Sequence, residues 1–122
     1  MILAIVGSTK LVNHPDVFKE VRRVIFLYRP DEVVSGGADG VDNTVEKVAR
    51  ELGVAFRAFR PEVHQWDGNG QVGYKQRNQQ IATLCDRLVR IVEVNPETYG
   101  SGWTRDLAAK MGKPTEEKII AA

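Results

Sequence analysis

Apolar residues fall along this chain in two alternating rhythms. Residues 2–6, Ile-Leu-Ala-Ile-Val, make an unbroken apolar run closed by Gly7, as expected of a short strand covered on both faces. Further on, Val17, Phe18, Val21, Val24, Ile25 and Tyr28 recur at three- and four-residue spacing, with Lys19, Glu20, Arg22 and Arg23 between them. That single apolar stripe predicts an amphipathic helix. Pro15 suits its first turn, Asn13 or His14 its cap, and Arg29-Pro30-Asp31 ends it. The alternation then repeats. Residues 32–35 predict a second strand, and Val41, Val45, Val48, Ala49 and Leu52 share one face of a helix stopped by Gly53. Residues 54–59 predict a third strand, 71–84 a polar helix, 88–94 a fourth strand and 104–111 a short helix ended by Gly112. A fifth strand is expected near Ile119 and Ile120, although Glu116-Glu117-Lys118 weakens its pattern.

Strands and helices in this order predict an α/β protein with a mainly parallel sheet of four or five strands and helices on both faces. Ligands of such sheets sit at the carboxyl ends of the strands, near the switch in strand order. The first, second and fourth strands lead into small-residue turns, Gly7-Ser8-Thr9, Ser35-Gly36-Gly37 and Gly100-Ser101-Gly102. The topology brings all three to one rim.

The second of these turns carries the strongest signal. In Ser35-Gly36-Gly37-Ala38-Asp39-Gly40-Val41-Asp42 a buried strand breaks into glycines and restarts as a helix. Such a corner aims backbone N–H groups and the positive end of the helix at one spot, and glycine lets an anion come close. The plain alternative is a tight turn that needs glycine for geometry alone. The spacing is neither a Walker loop nor a full G-x-G-x-x-G fingerprint. Gly100-Ser101-Gly102-Trp103-Thr104 opens another helix and could cup a second part of the same ligand, or simply cap that helix through Ser101 or Thr104. Asp42 either accepts from a ligand hydroxyl or supplies favourable charge at a helix start.

Residues 60–70 form a long loop for a compact α/β unit, which makes it a candidate functional loop. Trp66 within it either caps a pocket by stacking on a base or plugs the loop down. Arg77 and Asn78 follow one turn into the next helix. Arginine offers a planar, permanently charged fork for phosphate or carboxylate, against the commoner role of a surface side chain. Lys10 either reaches an anion or, the commoner case, lies in solvent. Cys85 lies in the apolar pattern of Ile81 and Leu84 and reads as packed; with His14 and His64 it gives no metal-ligand spacing, so no structural metal is expected. Nothing in the sequence orients His64 for catalysis.

A length of 122 residues fits one domain over 1–122 that buries a core without disulfides. A formal charge of +1 gives no global pull toward nucleic acid or membranes. The apolar start carries no basic leader and is too short to span a bilayer, so a cytoplasmic protein is expected.

These residues together resemble the SLOG superfamily, which includes DprA/Smf, the LOG phosphoribohydrolases and small stand-alone members of the YspA and YpsA type. The likeness to the small YspA-like group runs over nearly the whole chain. It rests on Ile5-Val6-Gly7-Ser8, on Ser35 through Asp42, and on Trp66 followed by Gly70 or Gly73 and Arg77-Asn78. Gly100 to Thr104, with Gly112-Lys113-Pro114 downstream, completes it. The resemblance implies a Rossmann-like three-layer sandwich and a nucleotide-like ligand over the strand ends. It also gives Arg77 and Asn78 a role at the ligand. Where LOG enzymes carry a glutamate for N-glycosidic cleavage, Thr104 is followed here by Arg105, Asp106 and Leu107.

The leading expectation is thus a small domain that binds a nucleotide or nucleoside phosphate as sensor or carrier. The amides after Ser35 and after Gly100 would hold the phosphate, Arg77 would neutralise it and Trp66 would cover the base or sugar. A nucleotide N-glycosidic hydrolase is the alternative, with Asp42, Asp67 and Asp106 as the acids near the rim. Single-stranded DNA binding, which the DprA likeness suggests, runs against the near-neutral charge. Carriage of a molybdenum-type cofactor stays open because that ligand also presents a phosphate. A homodimer is expected.

Overall fold

The computed structural model describes residues 1–96 and 100–121. The elements run β1 (Ile2–Gly7), α1 (Pro15–Tyr28), β2 (Glu32–Ser35), α2 (Val41–Leu52), β3 (Ala55–Ala58), α3 (Tyr74–Leu84), β4 (Arg87–Glu93), α4 (Gly100–Lys110) and β5 (Thr115–Ile120). Five strands form one sheet in the order β3-β2-β1-β4-β5, and every pair is parallel. The chain winds outward from β1 through β2 to β3, then returns to lay β4 on the other side of β1. The switch point therefore lies between β1 and β4, where neighbouring loops diverge and leave a crevice.

The two faces follow from the period of two along each strand. Leu3 and Ile5 of β1, with Val89 and Ile91 of β4, pack against Val17, Val21 and Val24 of α1 and Val41, Val45 and Val48 of α2. Ala4 and Val6 face the other way, onto Ile81 and Ala82 of α3 and Ala108 of α4. Small alanines on this second face let α3 and α4 come close to the sheet. The helix ends are as the local signals indicate. His14 caps α1 through its ring, Arg29 closes that helix in the left-handed region, and Gly53 does the same for α2.

Three elements differ from the local patterns. The third helix starts at Tyr74, not at residue 71, because the side-chain oxygen of Gln76 accepts from Gly73 N at 3.0 Å and Gly68 N at 3.2 Å and so fixes its first turn. The pattern predicts a polar loop over 95–102 before a helix at 104, but the fourth helix already includes Gly100-Ser101-Gly102; residues 97–99 lie outside the described residues. The fifth strand is complete despite its charges. Tyr28 donates to Glu116, and Glu117 takes Arg90 on one carboxylate oxygen and Arg105 on the other. Among the described residues no helix is long and apolar enough to cross a membrane.

Candidate functional site

The glycine corners meet at the carboxyl ends of β1 and β2 because two backbones touch there. Gly40, with φ of +79°, lies so close that a Cβ on it would sit 2.4 Å from Ser8 O. Val41 N donates to Ser8 O at 3.1 Å, and Ser8 N donates to Ile91 O at 3.1 Å. Glycine at 40 thus locks the start of α2 onto the end of β1. Ala38 N donates to Asp42 Oδ2 at 3.2 Å. The amides of Ser8 and Val41 are thus used within the protein, and of the amides expected to serve a ligand between Ser35 and Gly40 those of Gly36 and Ala38 are spent on Asp42.

A cavity of about 440 Å³ opens over this corner. Val6 and Ile81 floor it. Gly7 and Thr9 line it from β1, Gly36, Ala38 and Asp42 from the glycine turn, Arg77 and Asn78 from α3, and Gly100, Ser101 and Thr104 from α4, with Trp66 and Tyr74 on the loop side. Ser8, Ser35, Gly37, Gly40 and Gly102 do not line it. Ser8 and Ser35 are fully buried, Gly37 packs on the Arg60 stem, and Gly102 sits over Arg90. Asp106 is exposed outside the cavity beside Arg105, and Asp67 is tied up in the loop. The N–H of Asn69 and the amide of Gln76 hold the Asp67 carboxyl below the usual range.

Arg77 is the centre of the cavity. Its Nη1 donates to Gly36 O at 2.7 Å and to Phe59 O at 3.4 Å, and its Nε to Asn78 Oδ1 at 2.6 Å. Its guanidinium carbon lies 5.5 Å from the Tyr74 ring centroid. Asn78 in turn donates to Gly100 O at 3.4 Å, joining α3 to α4. A Cβ at Gly36 would stand 2.7 Å from both Arg77 Nη1 and Asp42 Oδ2, so this glycine is what lets cation and carboxylate approach from two sides. Burial pulls the Arg77 proton affinity down against the opposing charge of Asp42. Burial likewise pushes the Asp42 carboxyl above the usual range, opposed by hydrogen bonds from Ser35 and Ala38 and by Arg77.

That shift has a stability consequence with a definite sign. A carboxyl that binds its proton more tightly folded than unfolded favours the folded state in acid, and the advantage is lost as pH rises through the raised value. Asp42→Asn is expected to raise the melting temperature relative to wild type at alkaline pH, with the gap closing below the ordinary carboxylate range. Equal melting temperatures across a thermal-denaturation pH series would contradict it.

Three side chains at or behind the cavity owe their place to contacts that spacing does not reveal. Arg90, buried within β4, donates from Nε to Ser101 Oγ at 2.9 Å and reaches Glu117 with its other end. It anchors the opening turn of α4. The only hint of this in the chain is a charge in the middle of an apolar strand. Trp103 meets Trp66 edge to face, with ring centroids 5.1 Å apart, so the long loop and α4 touch at the cavity. His64, unoriented by any motif, lies with Nδ1 2.9 Å from the Tyr74 hydroxyl. Cys85 is buried, as its apolar setting indicates.

Fold and site together define a Rossmann-like α/β protein with a crevice at its strand-order switch. No protein-family model matches the chain, and no curated protein matches it by sequence. Solved structures do. The structural-genomics target TM1055 aligns with a TM-score of 0.70 at 20% identity, over 93% of this chain and 71% of that one. DNA processing protein A (DprA) from Streptococcus pneumoniae aligns at 0.71 and 22%, over 94% of this chain and 49% of that one, so the chain spans about half of DprA. The molybdenum cofactor carrier protein MCP from Chlamydomonas reinhardtii aligns at 0.67 and 18%, over 99% and 88%. These likenesses show the fold alone, a Rossmann-like α/β fold built on an all-parallel five-stranded sheet.

Proposed function

We propose that this chain binds a nucleotide or nucleoside phosphate at the carboxyl ends of its strands, as a sensor or carrier. The observation that carries this reading is the half-buried Arg77 fork in a cavity of about 440 Å³ that also holds an aromatic lid residue, Trp66. That volume suits a small ligand. The phosphate would lie between Arg77, Gly36 and the opening turn of α4, where Ser101 Oγ accepts from Arg90 and keeps its proton to donate, and the helix dipole favours negative charge. The planar part would lie beneath Trp66. Binding is favoured over glycosidic cleavage because both Asp42 oxygens are engaged by the protein and Asp106 lies outside the cavity. A formal charge of +1 favours a small ligand over a nucleic-acid strand.

Native mass spectrometry of freshly purified protein is expected to show a retained mass that nucleotide standards identify; a molybdenum cofactor, named for the Chlamydomonas protein, would be recognised by its own mass. The chain has two tryptophans, and both lie in the lid contact. Titration with adenosine monophosphate should therefore change intrinsic fluorescence saturably. No retained ligand together with a flat titration by nucleoside phosphates would end this reading.

A further inference from the structure

We propose that an anion entering this cavity is taken up together with one proton, which lodges on Asp42. The inference rests on the reading that the cavity receives a phosphate, and adds how the site adjusts its charge to do so. Ser35 Oγ lies 2.7 Å from Ile5 O and 2.7 Å from Asp42 Oδ1. A hydroxyl has one proton, and a carbonyl only accepts. With Asp42 ionised, Ser35 satisfies one of these two neighbours and faces the other oxygen to oxygen, in a place with no access to water. With Asp42 protonated the chain closes. The carboxyl O–H donates to Ser35 Oγ, the Ser35 O–H donates to Ile5 O, and Oδ2 still accepts from Ala38 N–H. The hydrogen-bond geometry is complete for the acid form.

The carboxylate is favoured by the hydrogen bonds it accepts from Ser35 and from the N–H groups of Ala38 and Gly36, and by the charge of Arg77 across Gly36 from it; the Arg77 charge is the one an arriving anion takes over. The titratable side chains lining the cavity are Asp42, Tyr74 and Arg77, and the faces contributed by β1 and α4 carry no charge. On α2 itself, Glu46 lies one turn on and is held by Arg50 at 3.0 Å and Arg60 at 3.5 Å, and Asp39 is exposed on the turn. An anion seated on Arg77 takes over the charge that stabilises the Asp42 carboxylate and adds repulsion within the same small volume. A proton drawn from solvent onto Asp42 removes both penalties and leaves the inner site with a net positive charge for its ligand. The burial that already pushes this carboxyl upward acts in the same direction.

The test is calorimetric titration with adenosine monophosphate in several phosphate-free buffers of different ionisation enthalpy, repeated over a pH series for wild type and Asp42→Asn. Asparagine imitates the protonated acid: its amide donates to Ser35 Oγ and its carbonyl accepts from Ala38. Wild type is expected to take up more protons than the variant, with affinity falling up to about tenfold per pH unit more steeply on the alkaline side. The variant should bind at least as tightly as wild type there. Infrared difference spectra of the wild type should gain a protonated-carboxyl stretch when ligand is added, a readout that needs no substitution. Equal proton uptake in the two proteins, or loss of binding in Asp42→Asn at every pH, would overturn the inference while leaving ligand binding intact. Wild type that binds neither adenosine monophosphate nor inorganic phosphate would remove the underlying reading as well.

Discussion

Replacing Gly7 by alanine is expected to cost the protein roughly 3 kcal/mol or more, the upper end of overpacking penalties. A Cβ there would stand 2.1 Å from Ile91 O, 2.8 Å from Val41 Cγ2 and 2.9 Å from Val41 Cβ. Neither neighbour can give way cheaply. Ile91 O accepts from Ser8 N in the turn, and Val41 is fully buried in the first turn of α2. Relief requires moving β4 away from β1 or lifting α2, and either motion opens the crevice. Gly53→Ala is the matched control. Nothing lies within 4 Å of its Cβ, so only its φ of +70° is strained, and a loss of about 1 kcal/mol is expected. Urea denaturation of the two variants measures the contrast. Gly7→Ala within 1 kcal/mol of wild type would show that the β1–β4–α2 junction is looser than its distances say.

Arg77→Ala should weaken adenosine monophosphate binding by roughly 30- to 1,000-fold, or about 2–4 kcal/mol, as expected for losing a buried charge-assisted partner. The substitution removes the only cation lining the cavity among the described residues. It also strips Gly36 O of its 2.7 Å donor and Asn78 Oδ1 of its 2.6 Å donor, loosening the walls on both sides. Arg77→Lys keeps the charge but loses the planar fork, and an intermediate loss is expected. Calorimetry gives the affinities, and far-ultraviolet circular dichroism checks that the variants are folded. Undiminished affinity in Arg77→Ala would remove Arg77 from the site and the phosphate placement with it.

Much of this architecture is legible along the chain because the forces that set it are local. The apolar stripe from Val17 to Tyr28 and the run from Ile2 to Val6 show the same faces in sequence and in structure. The small-residue ends of the first two strands meet at one rim because parallel strands joined by helices all point the same way. Local patterns fail where a remote partner overrides them. Gly100-Ser101-Gly102 has the composition of a turn, yet it is helical, with Arg90 gripping Ser101 and Thr104 bonding back to Gly100 O at 2.7 Å. Glu116 and Glu117 argue against a strand until Tyr28, Arg90 and Arg105 supply their partners.

By itself the sequence determined the order of the elements, the faces they bury and the segments that end in glycine, since hydrophobic spacing and turn chemistry act between residues a few positions apart. The tertiary structure alone decided which amides are spent, that Asp42 is buried at the cavity wall across Gly36 from Arg77, and that Trp66 finds Trp103. Burying a charge or satisfying a donor is settled by whatever lies across space, and partners such as Ser8 and Ile91, Asp42 and Arg77, or Trp66 and Trp103 are separated along the chain by dozens of residues.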